Sequence, residues 1–216
     1  MKDWVAWHEA YDDPSSSLSA RLRQVRTYLS EAIDRAPAGP VRLVSLCAGQ
    51  GHDVLGVLPG HPRRDDVSAV LVEADAANAG VARARAADAG LPQVEVRHAD
   101  AGRLASFADA LPADVLMLCG IFGNVSPEDI ERTVSAAPVL CTPGATVIWT
   151  RHQRPPDLTP RVRAWFAAAG FDEIAFDAME TTSMTGVGVN RLRGAPAGLA
   201  GPAGPPPPDP LFTFRA

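Results

Sequence analysis

Short apolar runs alternate with stretches of helical periodicity along most of this chain. Seven runs have the length and apolar content of buried strands: 43–47, 69–73, 94–98, 115–119, 146–150, 171–177 and 187–192. Between them, the pattern predicts helices that begin near the following residues: Gly51, Asp75, Gly102, Ser126 and Thr159. Regular alternation of this kind predicts a parallel sheet with helices on both faces.

The two ends of the chain depart from this alternation. Apolar residues recur at helical spacing between Leu18 and Ile33, which predicts an N-terminal helical cap over residues 1–36. No convincing helix separates the last two apolar runs, so we expect them to pair antiparallel. A Pro/Gly-rich tail over 194–216 follows the predicted core at 40–193, and its apolar residues Leu211 and Phe214 are candidate anchors. We expect 1–216 to form a single domain.

Composition narrows the partners that this domain is expected to have. The 216 residues are 46% hydrophobic and carry a formal net charge of −5, with no basic stripe of the kind that binds nucleic acid. No long apolar segment and no secretion signal are evident, so a cytoplasmic protein without a membrane partner is expected. The three cysteines fit neither a disulfide framework nor a zinc site, and no carboxylate trio demands a metal.

The most informative segment is the first predicted strand and the turn that follows it. The strand ends in Gly49-x-Gly51, and an apolar helical pattern begins at Val54. A glycine turn between a strand and a helix forms a cradle for a nucleoside-bearing ligand. Glu73 ends the second strand about twenty residues later, the spacing expected for a ribose contact. Asp100, after the third strand, can accept a hydrogen bond from the amine of adenine.

Two ligand classes compete for such a cradle. A dinucleotide site has the pattern G-x-G-x-x-G, whose third glycine allows close packing of helix and strand. Val54 stands at that third position here, and the antiparallel end of the sheet is a second departure. An NAD-dependent oxidoreductase nevertheless remains an alternative, because Glu73 suits the ribose of NAD equally well.

Four segments in order and in register resemble the successive motifs of class I S-adenosylmethionine-dependent methyltransferases. They are 46–53 (LCAGQGHD), 71–75 (LVEAD), 96–101 (VRHADA) and 113–120 (ADVLMLCG). The resemblance covers about residues 40–193, and the whole chain is similar to an actinobacterial branch of that family with no assigned substrate. It implies an α/β fold with a doubly wound, mostly parallel seven-stranded sheet and an antiparallel C-terminal strand. The implied cofactor is S-adenosyl-L-methionine, and the implied activity is methyl transfer to a small-molecule acceptor.

The resemblance also implies roles for individual residues. The backbone around the glycine turn holds the methionine end of the cofactor, Asp53 lies near its amino group, Glu73 binds the ribose, and Asp100 and Ala101 flank the adenine. The full set of implied cofactor contacts is Cys47, Ala48, Gly49, Gly51, Asp53, Glu73, Ala74, Asp100, Ala101 and Cys119. Three of these depart from the family pattern: many relatives have an acid at Cys47, a third glycine at Asp53, and Asp or Asn at Cys119.

Candidates for the acceptor and the chemistry lie around this edge. His152, after the fifth strand, and His8 are candidate general bases. An aromatic face formed by Trp4, Trp7 and Tyr11 is either a lid over the acceptor or core packing of the cap. Phe122 and Asn124 are candidates for shaping the acceptor pocket. Arg151 is either a substrate contact or part of a surface salt bridge.

The residue pattern leaves several alternatives open. Cys47 and Cys119, expected at the ends of adjacent strands, are interpreted as small buried residues rather than nucleophiles. The acceptor atom, whether O, N, C or S, is not predicted, and neither is the choice between monomer and homodimer. A methyltransferase-like protein that binds without catalysing is the third functional class considered.

Overall fold

The computed structural model describes residues 11, 13, 15–178, 184–194 and 207–214. Within these ranges the strands and α-helices, in chain order, are α1 (Ser17–Arg35), β1 (Val41–Leu46), α2 (Val54–Val57), β2 (Val67–Glu73), α3 (Ala76–Asp88), β3 (Val94–His98), β4 (Ala113–Leu118), α4 (Pro127–Leu140), β5 (Cys141–His152), α5 (Thr159–Ala168), β6 (Phe171–Ala178) and β7 (Thr185–Leu192).

The seven strands form one sheet in the order β3-β2-β1-β4-β5-β7-β6. Strands β1 to β5 pair in parallel, whereas β7 runs antiparallel to both β5 and β6. The predicted doubly wound, mostly parallel sheet with an antiparallel C-terminal strand is therefore confirmed. The strand order reverses between β1 and β4, and ligands of open α/β sheets bind at such a switch point.

Helices cover both faces of the sheet, as the alternation predicted. Helices α1, α2 and α3 pack on one face through buried side chains such as Leu29, Val54 and Ala82. Helices α4 and α5 pack on the other, around the fully buried Trp149 and Phe166. The parallel strands β1 to β5 lie between these two layers, and their carboxyl ends form one edge of the sheet, which we call the rim. The polar residues of the site lie on this rim.

The predicted helix starts are confirmed at two capped positions. Asp75 accepts a hydrogen bond from Asn78 N at 2.9 Å. Ser126 accepts one from Asp129 N at 3.0 Å, with proline at the next position. Both side chains satisfy backbone amides that lack a partner within the helix.

The predicted helix near Gly102 is wrong. The segment forms two short 3₁₀ turns instead, Leu104–Ser106 and Ala108–Ala110. The Gly102 carbonyl accepts a hydrogen bond from Leu211 N at 2.8 Å, so the C-terminal tail occupies the position where a helical amide would bond. The helix predicted near Gly51 does form, but α2 has only four residues before a 3₁₀ turn.

The N-terminal cap is described in part. Helix α1 lies within the predicted range, and Tyr11 is the first described residue, whereas Trp4, Trp7 and His8 lie outside the described residues. None of the helices in the described ranges is long and apolar enough to span a membrane.

Candidate functional site

The predicted site residues meet at the carboxyl ends of the central strands. The turn after β1 lies between the ends of β2 and β4, because β1 pairs with both strands. Glu73 ends β2, and β3 pairs beside it, so that Asp100 follows on the same rim. The structure thus brings together the glycine turn, Glu73, Asp100 and Cys119, which are dispersed over 70 positions of sequence.

The turn after β1 is held in a left-handed backbone conformation. The φ angles are +56° at Cys47, +57° at Gly49 and +68° at Gly51. A Cβ added at Gly51 would lie 2.7 Å from Leu55 Cδ1 and 3.2 Å from Leu71 Cδ2, so a side chain there would have to displace these leucines as well as adopt a strained backbone conformation. The turn is also tied to the neighbouring strand, since Ala48 N donates to Val72 O at 3.0 Å.

The carboxylate of Glu73 joins two loops of the rim. One oxygen accepts a hydrogen bond from Gly49 N at 2.8 Å, and the other accepts one from Asp75 N at 2.8 Å. An ionised carboxylate has about four acceptor positions, so each oxygen retains capacity for a further donor. Glu73 is partly exposed. Its remaining acceptor positions can therefore bind the hydroxyl groups of a ligand.

Asp100 provides a second acceptor on the same side of the turn. Its Oδ1 accepts a hydrogen bond from Gly102 N at 2.8 Å, and the residue is exposed, whereas Ala101 is buried. Burial raises the pKa of the Cys47 thiol, and the nearby carboxylates of Glu73 and Asp100 raise it further. The Cys47 thiol and the carboxylates of Glu73 and Asp100 thus lie near one another on the rim.

Asp53 belongs to a second region, on the other side of the turn. Its buried side chain accepts a hydrogen bond from Val54 N at 2.8 Å and thereby caps α2. Burial raises its pKa, and the opposing influences of Arg26 and Arg21 are smaller. A buried acid in this situation is stabilised by any cation brought beside it.

Helix α1 contributes two arginines to this second region that sequence reasoning missed. Arg21 donates a hydrogen bond to the Tyr11 hydroxyl at 2.7 Å, and Arg26 donates to His52 O at 2.9 Å. The Tyr11 ring lies 4.6 Å from the His52 ring, centroid to centroid. Tyr11, predicted as a lid or core residue, therefore contacts the loop that carries Asp53. Arg21 and Arg26 flank the buried apolar residues of α1. The apolar pattern of the helix does not indicate which of its basic residues reach the site.

The cysteine thiols are protonated at neutral pH. Burial raises the pKa of Cys119, and the nearby Asp53 raises it further. Burial likewise raises the pKa of Cys141 to about 12. A thiol is nucleophilic as the thiolate, so these values favour the interpretation of the cysteines as small buried residues. Cys47 and Cys119 do follow the adjacent strands β1 and β4, as predicted.

Two of the three candidate acceptor residues near the ends of β4 and β5 occupy interior positions. Phe122 is fully buried and packs against Trp149, with ring centroids 6.0 Å apart. Arg151 is also buried, and its Nη1 donates to the Phe122 carbonyl oxygen, so its guanidinium lies in the interior. Asn124 is partly exposed and donates from Nδ2 to Gly120 O at 2.7 Å. Asn124 is thus the one of these three that faces outward.

His152 lies at the end of β5 against the same loop. A Cβ added at Gly123 would be 3.3 Å from His152 Cδ2, so the ring sits directly over that glycine. Its Nδ1 atom is buried and lacks a hydrogen-bond partner among the described residues. Burial lowers the pKa of His152, and the cations Arg151 and Arg154 lower it further. The imidazole is therefore neutral near pH 7 and able to accept a proton.

We expect an NMR titration of His152 to have its midpoint below the ordinary histidine value of 6.5. The His152→Gln variant assigns the signal, and a matched Arg154→Gln variant should raise the midpoint because one of the two nearby cations is removed. A midpoint above 6.5 in the wild type would contradict the description of this residue as a neutral imidazole.

Among the described residues, no group of three or more His, Cys, Asp or Glu side chains could hold a metal ion.

No family model matches the chain, and no curated protein matches it either. Solved structures do match. Magnesium protoporphyrin IX methyltransferase from Synechocystis PCC 6803, solved with bound SAM, aligns with a TM-score of 0.67 at 11% identity, over 86% of this chain and 89% of that chain. A putative O-methyltransferase from Nostoc punctiforme PCC 73102 aligns with a TM-score of 0.61 at 14% identity, over 87% and 59%. An O-methyltransferase family protein from Burkholderia thailandensis gives 0.60 at 16%, over 80% and 56%.

These alignments cover most of the chain at low sequence identity, and identity at that level relates folds rather than activities. The TM-score of 0.67 over 86% of this chain and 89% of the magnesium protoporphyrin IX methyltransferase chain shows a shared fold. The chain therefore has the Rossmann-like fold that these methyltransferases share.

Proposed function

We propose that this protein transfers a methyl group from S-adenosyl-L-methionine to a small-molecule acceptor. The observation that carries the proposal is the Glu73 carboxylate, which stands beside a left-handed glycine turn at the switch point and retains one acceptor position on each oxygen. A ribose presents two neighbouring hydroxyl donors, which is the chemistry that such a carboxylate binds. The similar fold of proteins named as methyltransferases supports the proposal.

The hydrogen-bond acceptors on one side of the turn fit an adenosine. Glu73 would hold the ribose, with Ala74 beside it, and Asp100 would accept from the adenine amine. Ala101 packs in the hydrophobic core, and it would flank the adenine by anchoring the loop that carries Asp100. Cys47 and its neighbours Ala48 and Gly49 present backbone rather than bulky side chains, so a ligand can approach the main chain closely.

The other side of the turn fits the amino-acid part of the cofactor. Burial raises the pKa of the Asp53 carboxyl group, and the ammonium group of the cofactor would stabilise its charged form. Arg21 lies close enough to lower the pKa of both Asp53 and Cys119. The carboxylate of the methionine end would therefore have the Arg21 guanidinium nearby. The acidic Asp53 would thus face the ammonium group of the methionine end, and the basic Arg21 would face its carboxylate.

The chemistry demands little from the protein beyond placement. When bound, S-adenosylmethionine supplies a methyl group on a sulfonium, which is already a good leaving group. The rim holds donor and acceptor in line, and such positioning contributes on the order of 7–11 kcal/mol in favourable cases. Exclusion of water is the second task. His152 would take the proton from an acceptor oxygen or nitrogen, because its imidazole is neutral near pH 7.

The surroundings of the acceptor remain predictions. Tyr11 contacts the Asp53 loop, which supports a lid formed by the N-terminal segment, and Trp4, Trp7 and His8 belong to that prediction outside the described residues. Asn124 would contact the acceptor, while Phe122 and Arg151 would support the loop from within. A small molecule as acceptor, a cytoplasmic location, and a single domain over 1–216 acting as monomer or homodimer are further parts of the proposal.

Replacement of Asp53 by asparagine should raise the stability of the protein at pH 7 while it weakens ligand binding. The variant keeps the cap on α2 but removes a buried charge. Because the folded-state pKa of Asp53 is raised, wild-type stability falls as pH rises from the unfolded-state value of 3.8 through the folded value, and the Asp53→Asn protein should lack that fall. We expect the variant to melt at a higher temperature at pH 7 and to bind S-adenosylhomocysteine about tenfold more weakly. Melting below the wild type, or unchanged binding, would contradict the role given to Asp53.

Calorimetry with three ligands tests the proposed function. The wild type should bind S-adenosylmethionine and S-adenosylhomocysteine and should show no heat with NADH. Binding of NADH alone would establish the oxidoreductase alternative, and no binding of either sulfur ligand at millimolar concentration would remove the proposal. Cofactor binding without turnover in a broad acceptor screen would favour the non-catalytic class.

A further inference from the structure

A segment of the tail, residues 207–214, packs against the loop that carries Asp100. We call this segment the C-terminal strap. Leu211 N donates to Gly102 O at 2.8 Å, and Asp209 Oδ1 lies 3.4 Å from Leu104 N. Arg103 and Asp209 also form an ion pair, with Nη1 and Oδ1 3.9 Å apart. The strap thus bonds to the backbone of the loop at two successive points rather than merely lying across it.

Helix α4 anchors the strap from the other side. Arg132 Nε donates to Pro210 O at 3.2 Å and to Leu211 O at 3.1 Å, and the Thr133 hydroxyl donates to Leu211 O at 3.1 Å. Leu211 and Phe212 are buried in the core beneath this face of the sheet. The strap therefore packs in the hydrophobic core through its side chains and bonds to the loop through its backbone and Asp209.

Gly102 connects the strap to Asp100. A Cβ added at Gly102 would overlap the carbonyl oxygen of Phe212 and would lie 3.1 Å from Asp100 Oδ1. Gly102 N donates to that same Asp100 oxygen at 2.8 Å. The strap thus packs closely against the glycine whose amide orients the Asp100 carboxylate. A shift of the strap would therefore displace Gly102, and with it the amide that bonds to the Asp100 carboxylate.

From these contacts we infer that the C-terminal strap is a positioning segment of the ligand site, which holds the Asp100–Gly102 loop in the conformation that receives the adenine ring. The inference rests on the proposed function. It assigns a binding role to a part of the chain that lies outside the motif-bearing core at 40–193. The binding of adenine is then coupled to the docking of residues distant in sequence.

The test weakens the docking in the full-length protein. A double variant, Arg132→Met with Asp209→Ala, removes side-chain bonds to the strap and to the loop but leaves the buried Leu211 and Phe212 unchanged. The control is Thr213→Ala, because Thr213 is exposed and its backbone bond to Asp129 is retained. Hydrogen exchange of the 100–107 amides measures loop order. Calorimetry measures binding of S-adenosylhomocysteine and of S-ribosylhomocysteine, which has the ribose and the amino acid but no adenine.

We expect the double variant to exchange the 100–107 amides about tenfold faster and to bind S-adenosylhomocysteine about tenfold more weakly, as loss of a few hydrogen bonds permits. Affinity for S-ribosylhomocysteine should change less than about twofold, and the control should match the wild type in all three measurements. Unchanged exchange, or an equal loss for both ligands, would overturn the inference. If the wild type binds neither ligand, the proposed function fails and the inference fails with it, while the exchange result still reports whether the strap orders the loop.

Discussion

Replacement of Glu73 by alanine should reduce the affinity for S-adenosylhomocysteine by at least about 100-fold, because two charge-assisted hydrogen bonds to the ribose contribute about 1.5–3 kcal/mol each. The substitution also deprives Gly49 N and Asp75 N of their common acceptor, so the two loops of the rim lose their connection. Calorimetry measures the affinity, and thermal melting measures the accompanying loss of stability.

The Glu73→Gln variant is the matched comparison. The amide keeps one oxygen acceptor and the same length but presents an NH₂ group toward one of the two backbone donors. Binding should fall between that of the wild type and that of Glu73→Ala. Wild-type affinity in a folded Glu73→Ala protein would contradict the ribose contact directly.

Alanine at Gly51 should damage both stability and binding. The backbone there has φ of +68°, and the added methyl group would lie 2.7 Å from Leu55 Cδ1. Left-handed strain costs about 1–2 kcal/mol in a residue with a side chain, and overpacking costs about 1–3 kcal/mol more. Urea denaturation should show a loss of free energy of unfolding near the sum, and the shifted turn should weaken S-adenosylhomocysteine binding about tenfold or more.

Gly90 offers the control for that experiment. Its φ is +60°, and an added Cβ would have no neighbour within 4 Å. The Gly90→Ala variant should show the left-handed strain alone, about 1–2 kcal/mol, with wild-type ligand affinity. Equal losses in the two variants would mean that conformation, and not packing of the turn against Leu55 and Leu71, sets the requirement for glycine at 51.

The features predictable from sequence are those set by local pattern. The parallel core follows from apolar runs alternating with helical periods, and the caps at Asp75 and Ser126 follow from side chains that bond amides three residues ahead. Glu73 and Asp100 could be placed on one rim because parallel strands of a sheet end at the same edge. Each of these inferences needs only neighbours in sequence and one rule of topology.

The features that escaped prediction depend on long-range contacts. A helix was expected near Gly102, but the segment bonds instead to Leu211, more than a hundred residues away. Arg151 was predicted as a substrate contact or as part of a surface salt bridge, and the sequence did not indicate that its guanidinium bonds to the Phe122 carbonyl in the interior. Arg21 resembles any exposed basic residue of an amphipathic helix until α1 is packed against the rim. Pattern along the chain does not encode which distant backbone groups compete for a partner.

A crystal structure of the wild type with S-adenosylhomocysteine tests the central claim most directly. The account predicts both ribose hydroxyls on the Glu73 carboxylate, with the Gly49 and Asp75 amides still bonded to it, and the adenine beside Asp100. A nucleoside that binds away from the β1–β4 switch point, or one whose ribose leaves Glu73 without a ligand contact, would contradict it.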